Sequence, residues 1–170
     1  MAPDGYEESL QEFLVTALYA RIGEPGTLTG EGKTARFELK KSLGGGSCEA
    51  EGALDYVLPS GRSLSHKNDI LISLPRKKYV AVELKWVSSR TSAFKARAYD
   101  MLHLKQAFGQ KLRGIMVYLR TGQGGLSADQ AQAISYPFDV FFGIENQDPQ
   151  NPAVWVPILD RIEGEIQARE

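Results

Sequence analysis

Asn68-Asp69-Ile70-Leu71-Ile72-Ser73-Leu74 and Tyr79-Val80-Ala81-Val82-Glu83-Leu84-Lys85-Trp86 are separated only by Pro75-Arg76-Lys77-Lys78. Both runs are rich in Val, Ile and aromatic residues, which predicts two antiparallel strands joined by a tight connection. Side chains alternate along a strand, so Glu83 and Lys85 share one face while Val80, Val82, Leu84 and Trp86 share the other. A carboxylate and an ammonium group inside so apolar a strand are costly unless they line a cleft or bind an ion. Asp69 offers a second carboxylate, and its face depends on the connection. An even loop sets Asp69 opposite Leu84, pointing away from Glu83. An odd loop, or a bulge near Asp69, sets it opposite Glu83 or Lys85. The reading therefore expects an odd loop or a bulge, and a regular even hairpin would exclude a shared site.

Working outward, Tyr6 to Ile22 places Leu10, Phe13, Leu14, Ala17 and Leu18 at helical spacing, with Gly23, Pro25 and Gly26 to stop it. Ala35 to Leu43 and Ala53 to Leu58 alternate weakly as strands around a glycine-rich connection. Downstream come a helix from Ser92, a plausible N-cap, to Lys111, and a buried strand from Gly114 to Arg120. A short helix Ser127 to Ser135, a strand Phe138 to Ile144 and an amphipathic helix Pro157 to Ala168 follow. A meander followed by strand-helix-strand crossovers predicts an α/β fold, a mixed central sheet with helices on both faces. No linker divides the chain, so residues 1–170 are expected to form one domain.

Composition narrows the chemistry. The single Cys48 excludes an intrachain disulfide framework and a zinc site built on several thiolates, and His66 and His103 are the only histidines. No apolar run approaches the roughly 20 residues that cross a bilayer, and Met1 to Tyr6 lacks a signal pattern, so no membrane partner and a cytoplasmic location are expected. The formal net charge of -1 conceals an asymmetry. Residues 1–75 carry 7 basic and 11 acidic side chains, residues 76–120 carry 11 and 2, and residues 121–170 carry 2 and 8. The central block points to a polyanionic partner, against the alternative of a solvated face neutralised by acids nearby in space.

Two carboxylates suit Mg²⁺, which takes oxygen ligands and keeps waters that a phosphate can displace. A lysine beside them can position the attacking water or offset charge on the transition state. Asp69, followed by Glu83-Leu84-Lys85 on the next strand and then a helix, resembles the PD-(D/E)XK nuclease superfamily, also called restriction-endonuclease-like, although Asn68 stands where the motif has proline. The resemblance implies an αβββαβ core, here extended by a C-terminal strand and helix, and Mg²⁺-dependent hydrolysis of phosphodiester bonds. Asp69 and Glu83 would hold the metal, with Mn²⁺ as a substitute, and Lys85 would serve the water. Of three Glu-x-Lys runs in the chain, those at Glu31 and Glu38 lack a strand aspartate upstream. Polar-face residues of an edge strand remain the alternative for Glu83 and Lys85, and Asp55 the alternative first ligand.

On a helical wheel Lys105 falls at the centre of the Phe94, Ala98, Met101, Phe108 and Leu112 face. It either snorkels to the helix edge or reaches the carboxylates as a catalytic residue, with Gln106 beside it. Family members place such a residue on this helix, and often a carboxylate from the first helix near the metal, which makes Glu7 a candidate ligand; a favourable first-turn charge is its other reading. Arg76, Lys77, Lys78, Lys95, Arg97 and Lys111 are candidate phosphate contacts, the first three alternatively a solvated edge turn. His66 is placed to touch a phosphate. The expected activity is a Mg²⁺-dependent endonuclease acting on duplex or branched DNA ahead of RNA, with loops, dimerisation or a partner chain supplying specificity. A nuclease-fold protein that binds nucleic acid or a protein partner without cutting is the rival.

Overall fold

The computed structural model describes residues 6–86, 91–120 and 126–168, with the side chains of residues 6–8 and 91–93 outside that description. Helix α1 (Tyr6–Ile22) buries Leu10, Leu14, Val15, Leu18 and Ile22. A six-stranded sheet follows, in the spatial order β1 (Arg36–Glu38), β2 (Ser47–Ala50), β5 (Ile70–Leu74), β6 (Lys78–Trp86), β7 (Leu112–Arg120), β8 (Val140–Glu145). Pairing is antiparallel from β1 to β6 and parallel from β6 to β8. The parallel steps run through α2 (Thr91–Phe108) and α3 (Ala128–Ile134), and α4 (Pro152–Gln167) closes the chain. Strands β3 (Ala53–Val57) and β4 (Ser63–Lys67) form a separate two-stranded sheet inserted between β2 and β5. The expected αβββαβ order is therefore present as α1, β2, β5, β6, α2 and β7, with β8 and α4 added.

Both sheet faces are covered. Val80, Val82, Leu84 and Trp86 pack in one apolar cluster with residues of α1 and α4, including Leu14, Leu18, Trp155 and Ile158. Ala81, Met116 and Tyr118 pack in the other, with Phe94, Met101 and Leu104 of α2. Phe94 meets Tyr118 edge-on at 5.0 Å between ring centroids, and Tyr79 meets Phe108 at 5.4 Å. Helix α2 thus runs antiparallel to β6, its first half over the Glu83–Trp86 end and its last turn over Tyr79.

Several boundaries differ from the sequence reading, each for a local reason. The run from Ala35 is strand only over Arg36–Glu38, because Lys41–Leu43 winds into a 3₁₀ turn ended by Gly44 in the left-handed region, φ 92°. Strands β2 and β4 were not anticipated, being short and polar, and Ala53–Val57 pairs with β4 instead of joining the main sheet. Helix α2 starts at Thr91, so Ser92 lies inside it and not at its cap. Helix α4 begins at Pro152, ahead of Pro157, since the Asn151 side chain accepts the Ala153 N–H at 3.1 Å and caps it.

Candidate metal and catalytic site

The loop between β5 and β6 is odd. Leu74 pairs with Lys78, leaving Pro75, Arg76 and Lys77 as the connection, and Ile70 pairs with Val82. One step further along this register, Asp69 stands opposite Glu83, on the face that α2 covers. The Asp69 carboxylate accepts the Leu84 N–H through Oδ2 at 2.7 Å. Its backbone is held from two sides: the Asp69 carbonyl accepts the Glu51 N–H at 3.1 Å and the Gln11 side-chain amide at 2.5 Å. Gln11, buried on α1, is a residue the sequence reading missed. The available signal was a polar side chain within the apolar stripe of Leu10, Leu14 and Leu18.

Glu83 is 1% exposed. Its Oε1 lies 3.3 Å from Nε2 of His66, a residue of β4 whose Nδ1 is 3.6 Å from Asp100 of α2. Its Oε2 is buried with no hydrogen-bond partner. Burial pushes Glu83 up to about 7, with Arg97 the largest influence in the other direction, followed by the adjoining Asp69 carboxyl, which lowers it where the two share a proton, and the charge of Lys85. Burial pushes Asp69 up to about 7 as well, reinforced by the Glu83 charge and opposed by the Leu84 N–H. Burial also holds His66 below the ordinary imidazole value, against the raising pull of Asp100. With both carboxyls ionised, Oε2 is an orphaned acceptor in a dry site; a shared proton or a cation between them removes the defect.

These two groups could hold a divalent cation. Asp69 and Glu83 are hard oxygen donors, and in each one oxygen is already steadied by a protein contact. Among the described residues no group of three or more His, Cys, Asp or Glu is arranged around a metal position. The remaining ligands would have to be water and substrate, the coordination that Mg²⁺ accepts readily. Lys85, buried at 9% exposure, projects from the same face of β6 as Glu83.

The other expected participants are dispersed. Lys105 does not reach the carboxylates: its ammonium group donates to the Leu112 carbonyl at 2.6 Å and pairs with Asp139. Leu112 neighbours Tyr79 on β6, four positions before Glu83, about 13 Å along the strand. The helical wheel gave the correct face of α2 but not the position along it. Arg97, half-buried in the first half of α2, is the helix residue whose charge acts on both carboxyls. The Glu7 side chain lies outside the described residues. Asp55 is on β3 opposite Ser65, in the other sheet. Lys95 is exposed on α2 near the carboxylate end, whereas Arg76, Lys77, Lys78 and Lys111 cluster at the opposite end of the strands. Part of the basic block is neutralised by the acidic C-terminal segment: Lys105 and Arg113 pair with Asp139, Arg113 also with Glu165, and Arg120 with Glu145.

No protein-family model matches the chain, and no curated protein matches it either. Among solved structures it is similar to one of an EndoMS–dsDNA2 complex, at 18% identity and a TM-score of 0.41, over 87% of this chain and 48% of that one. It is also similar to EndoMS in apo form, at 16% identity and a TM-score of 0.36, over 86% and 49%. The chain thus spans about half the length of these proteins.

Proposed function

We propose that the chain is a Mg²⁺-dependent nuclease of the PD-(D/E)XK kind that hydrolyses phosphodiester bonds in DNA. The observation that carries this reading is the facing pair of carboxyls, half-buried Asp69 and buried Glu83, with an orphaned Glu83 oxygen and Lys85 on the same sheet face. A bound Mg²⁺ would supply Lewis-acid polarisation of the phosphoryl oxygen and a more acidic water. The protein's own groups do the rest. Gln11 and the Glu51 N–H fix the backbone of Asp69, the Leu84 N–H fixes its carboxylate, and His66 steadies Glu83. Lys85 would orient the attacking water and offset the charge that accumulates on the phosphoryl group. Mn²⁺ would replace Mg²⁺, since the donor set is oxygen alone.

The test is a cleavage panel of duplex, branched and single-stranded DNA and RNA, with and without Mg²⁺. Mg²⁺-dependent nicking or cutting of DNA is expected, and Asp69→Ala and Lys85→Ala should each remove it. Full activity in those variants would overturn the assignment. Salt-sensitive DNA binding that ignores Mg²⁺, with no cleavage of any substrate, would make the chain a binding protein.

A further inference from the structure

Three loops meet at the end of the sheet away from the carboxylates. The β5–β6 tip carries Arg76 and Lys77, the 3₁₀ turn after β1 carries Lys41, and the turn before β7 carries Lys111, all four exposed. The chain that leads from the 3₁₀ turn into β2 lies hard against the end of β5: a Cβ on Gly46 would lie 2.3 Å from the Ser73 carbonyl oxygen and 3.3 Å from the Leu74 Cα. Between the 3₁₀ turn and the β5–β6 tip opens a cleft of about 440 Å³ lined by Lys41, Ser42, Leu74, Pro75, Arg76 and Ile166 of α4, with no acidic residue on its wall among the described residues. Lys111 continues the row, because Leu112 lies beside Tyr79 in the parallel β6–β7 pair.

Two observations separate this cluster from an ordinary solvated turn. Strands β5 and β6 are interior to the sheet, so basic residues at their tip guard no open edge. The tip also holds Arg76 at φ 65°, ψ 29° and Lys77 at φ 57°, consecutive left-handed residues. Gly and Asn fill such positions with less strain. A strained backbone that carries two cations in place of Asn-Gly favours a role for the side chains. Lys105, Arg113 and Arg120 have their carboxylates; among the described residues no ion pair takes up Lys41, Arg76, Lys77 or Lys111.

We infer that this end of the sheet is a second anchor for a nucleic-acid phosphate backbone, built by Lys41, Arg76, Lys77 and Lys111 and separate from the carboxylate site. The β2, β5, β6 and β7 ends span roughly 14 Å at about 4.8 Å per strand. That is the axial rise of about four phosphates of one DNA strand at 3.4 Å each. The anchor lies about 17 Å from Asp69 along β5, or about five base pairs. Its occupant, DNA, rests on the reading under Proposed function; its location does not.

The experiment measures binding of a 24-base-pair duplex, without divalent metal, across a salt series. Arg76→Asn/Lys77→Gly removes two cations while supplying residues that the turn prefers, so a fold defect is not the expected cause of weaker binding. A thermal melt should show an unchanged or higher midpoint. The slope of log K against log salt should flatten by about 1.8, and by about 3.6 when Lys41→Ser and Lys111→Ser are added. Arg62→Ser, at the exposed β3–β4 turn, should leave the slope alone. Unchanged slopes in the tip variants would overturn the anchor. So would saturable binding of inorganic phosphate or a nucleoside triphosphate that the same variants abolish while duplex binding persists, which would make the cleft a small-anion site. If the wild type binds with the expected slope but cuts nothing under Mg²⁺, the nuclease reading fails and the anchor stands. If it cuts and the tip variants bind with wild-type slopes, only the anchor fails.

Discussion

Glu83 shows what a buried acid does when its partner is another acid. Both it and Asp69 are pushed up to about 7, so near neutrality the pair retains a proton that the unfolded chain would have released. Between about pH 4 and pH 7 the folded state therefore binds more protons than the unfolded state, and stability falls as pH rises through that window. At roughly 1.4 kcal/mol per unit of pKa, the ionised pair costs on the order of 3 kcal/mol by pH 8, and the two carboxyls share this cost. Denaturant unfolding at pH 5.5, 7 and 8.5 should show that loss in the wild type. The Glu83→Gln protein should show a smaller loss over the same range, since Asp69 loses its charged neighbour but is still held up by burial. Added Mg²⁺ should restore more stability at pH 8.5 than at pH 5.5, because the cation takes the place of the proton. A wild type no more pH-dependent than Glu83→Gln would remove the carboxyl pair as the cause.

The elements were legible to different degrees. Strand β6 could be read from sequence because both of its faces obey alternation, and the facing of Asp69 and Glu83 follows from it once the loop is odd. Strands β2 and β4 could not, since Ser47–Ala50 and Ser63–Lys67 are short, polar and stabilised by partners distant in sequence. His66 reaches Glu83 only because β4 folds back over α2's side of the sheet, which no local pattern encodes. Helix α2 misled through Lys105, whose partner Asp139 lies at the start of β8, across the second crossover. That pairing assigns Lys105 to holding α2 against the β7–β8 end. Lys105→Met should lower stability by about 1–2 kcal/mol, since Asp139 keeps Arg113 and the Gly114 N–H. Turnover measured on folded protein should stay within about twofold. Lys85→Met should behave in the opposite way, with little lost stability and turnover reduced at least a hundredfold. Unfolding curves and single-turnover cleavage decide it: equal losses of turnover in the two variants would return Lys105 to the chemistry.

At the scale of the molecule, a net charge of -1 is a poor guide to behaviour. The acids of residues 121–170 do neutralise part of the basic block, through Asp139, Glu145 and Glu165, as a solvated-face reading would require. What survives among the described residues is divided between two places: Lys85, Lys95 and Arg97 near the carboxylates, and Arg76, Lys77 and Lys111 at the far end of the strands, where Lys41 from the earlier part of the chain joins them. A chain with a sequence pI near 6.2 should therefore bind DNA at pH 7.5, above its pI, because local fields and not the total charge govern the encounter. About six phosphate contacts would give a binding constant that falls about a thousandfold between 50 and 200 mM salt. Fluorescence anisotropy with a labelled duplex reads this directly. A protein whose charges were mixed evenly would bind weakly and lose little over that range. A shallow slope, equivalent to one or two contacts, would mean that the two basic patches do not act together on one duplex.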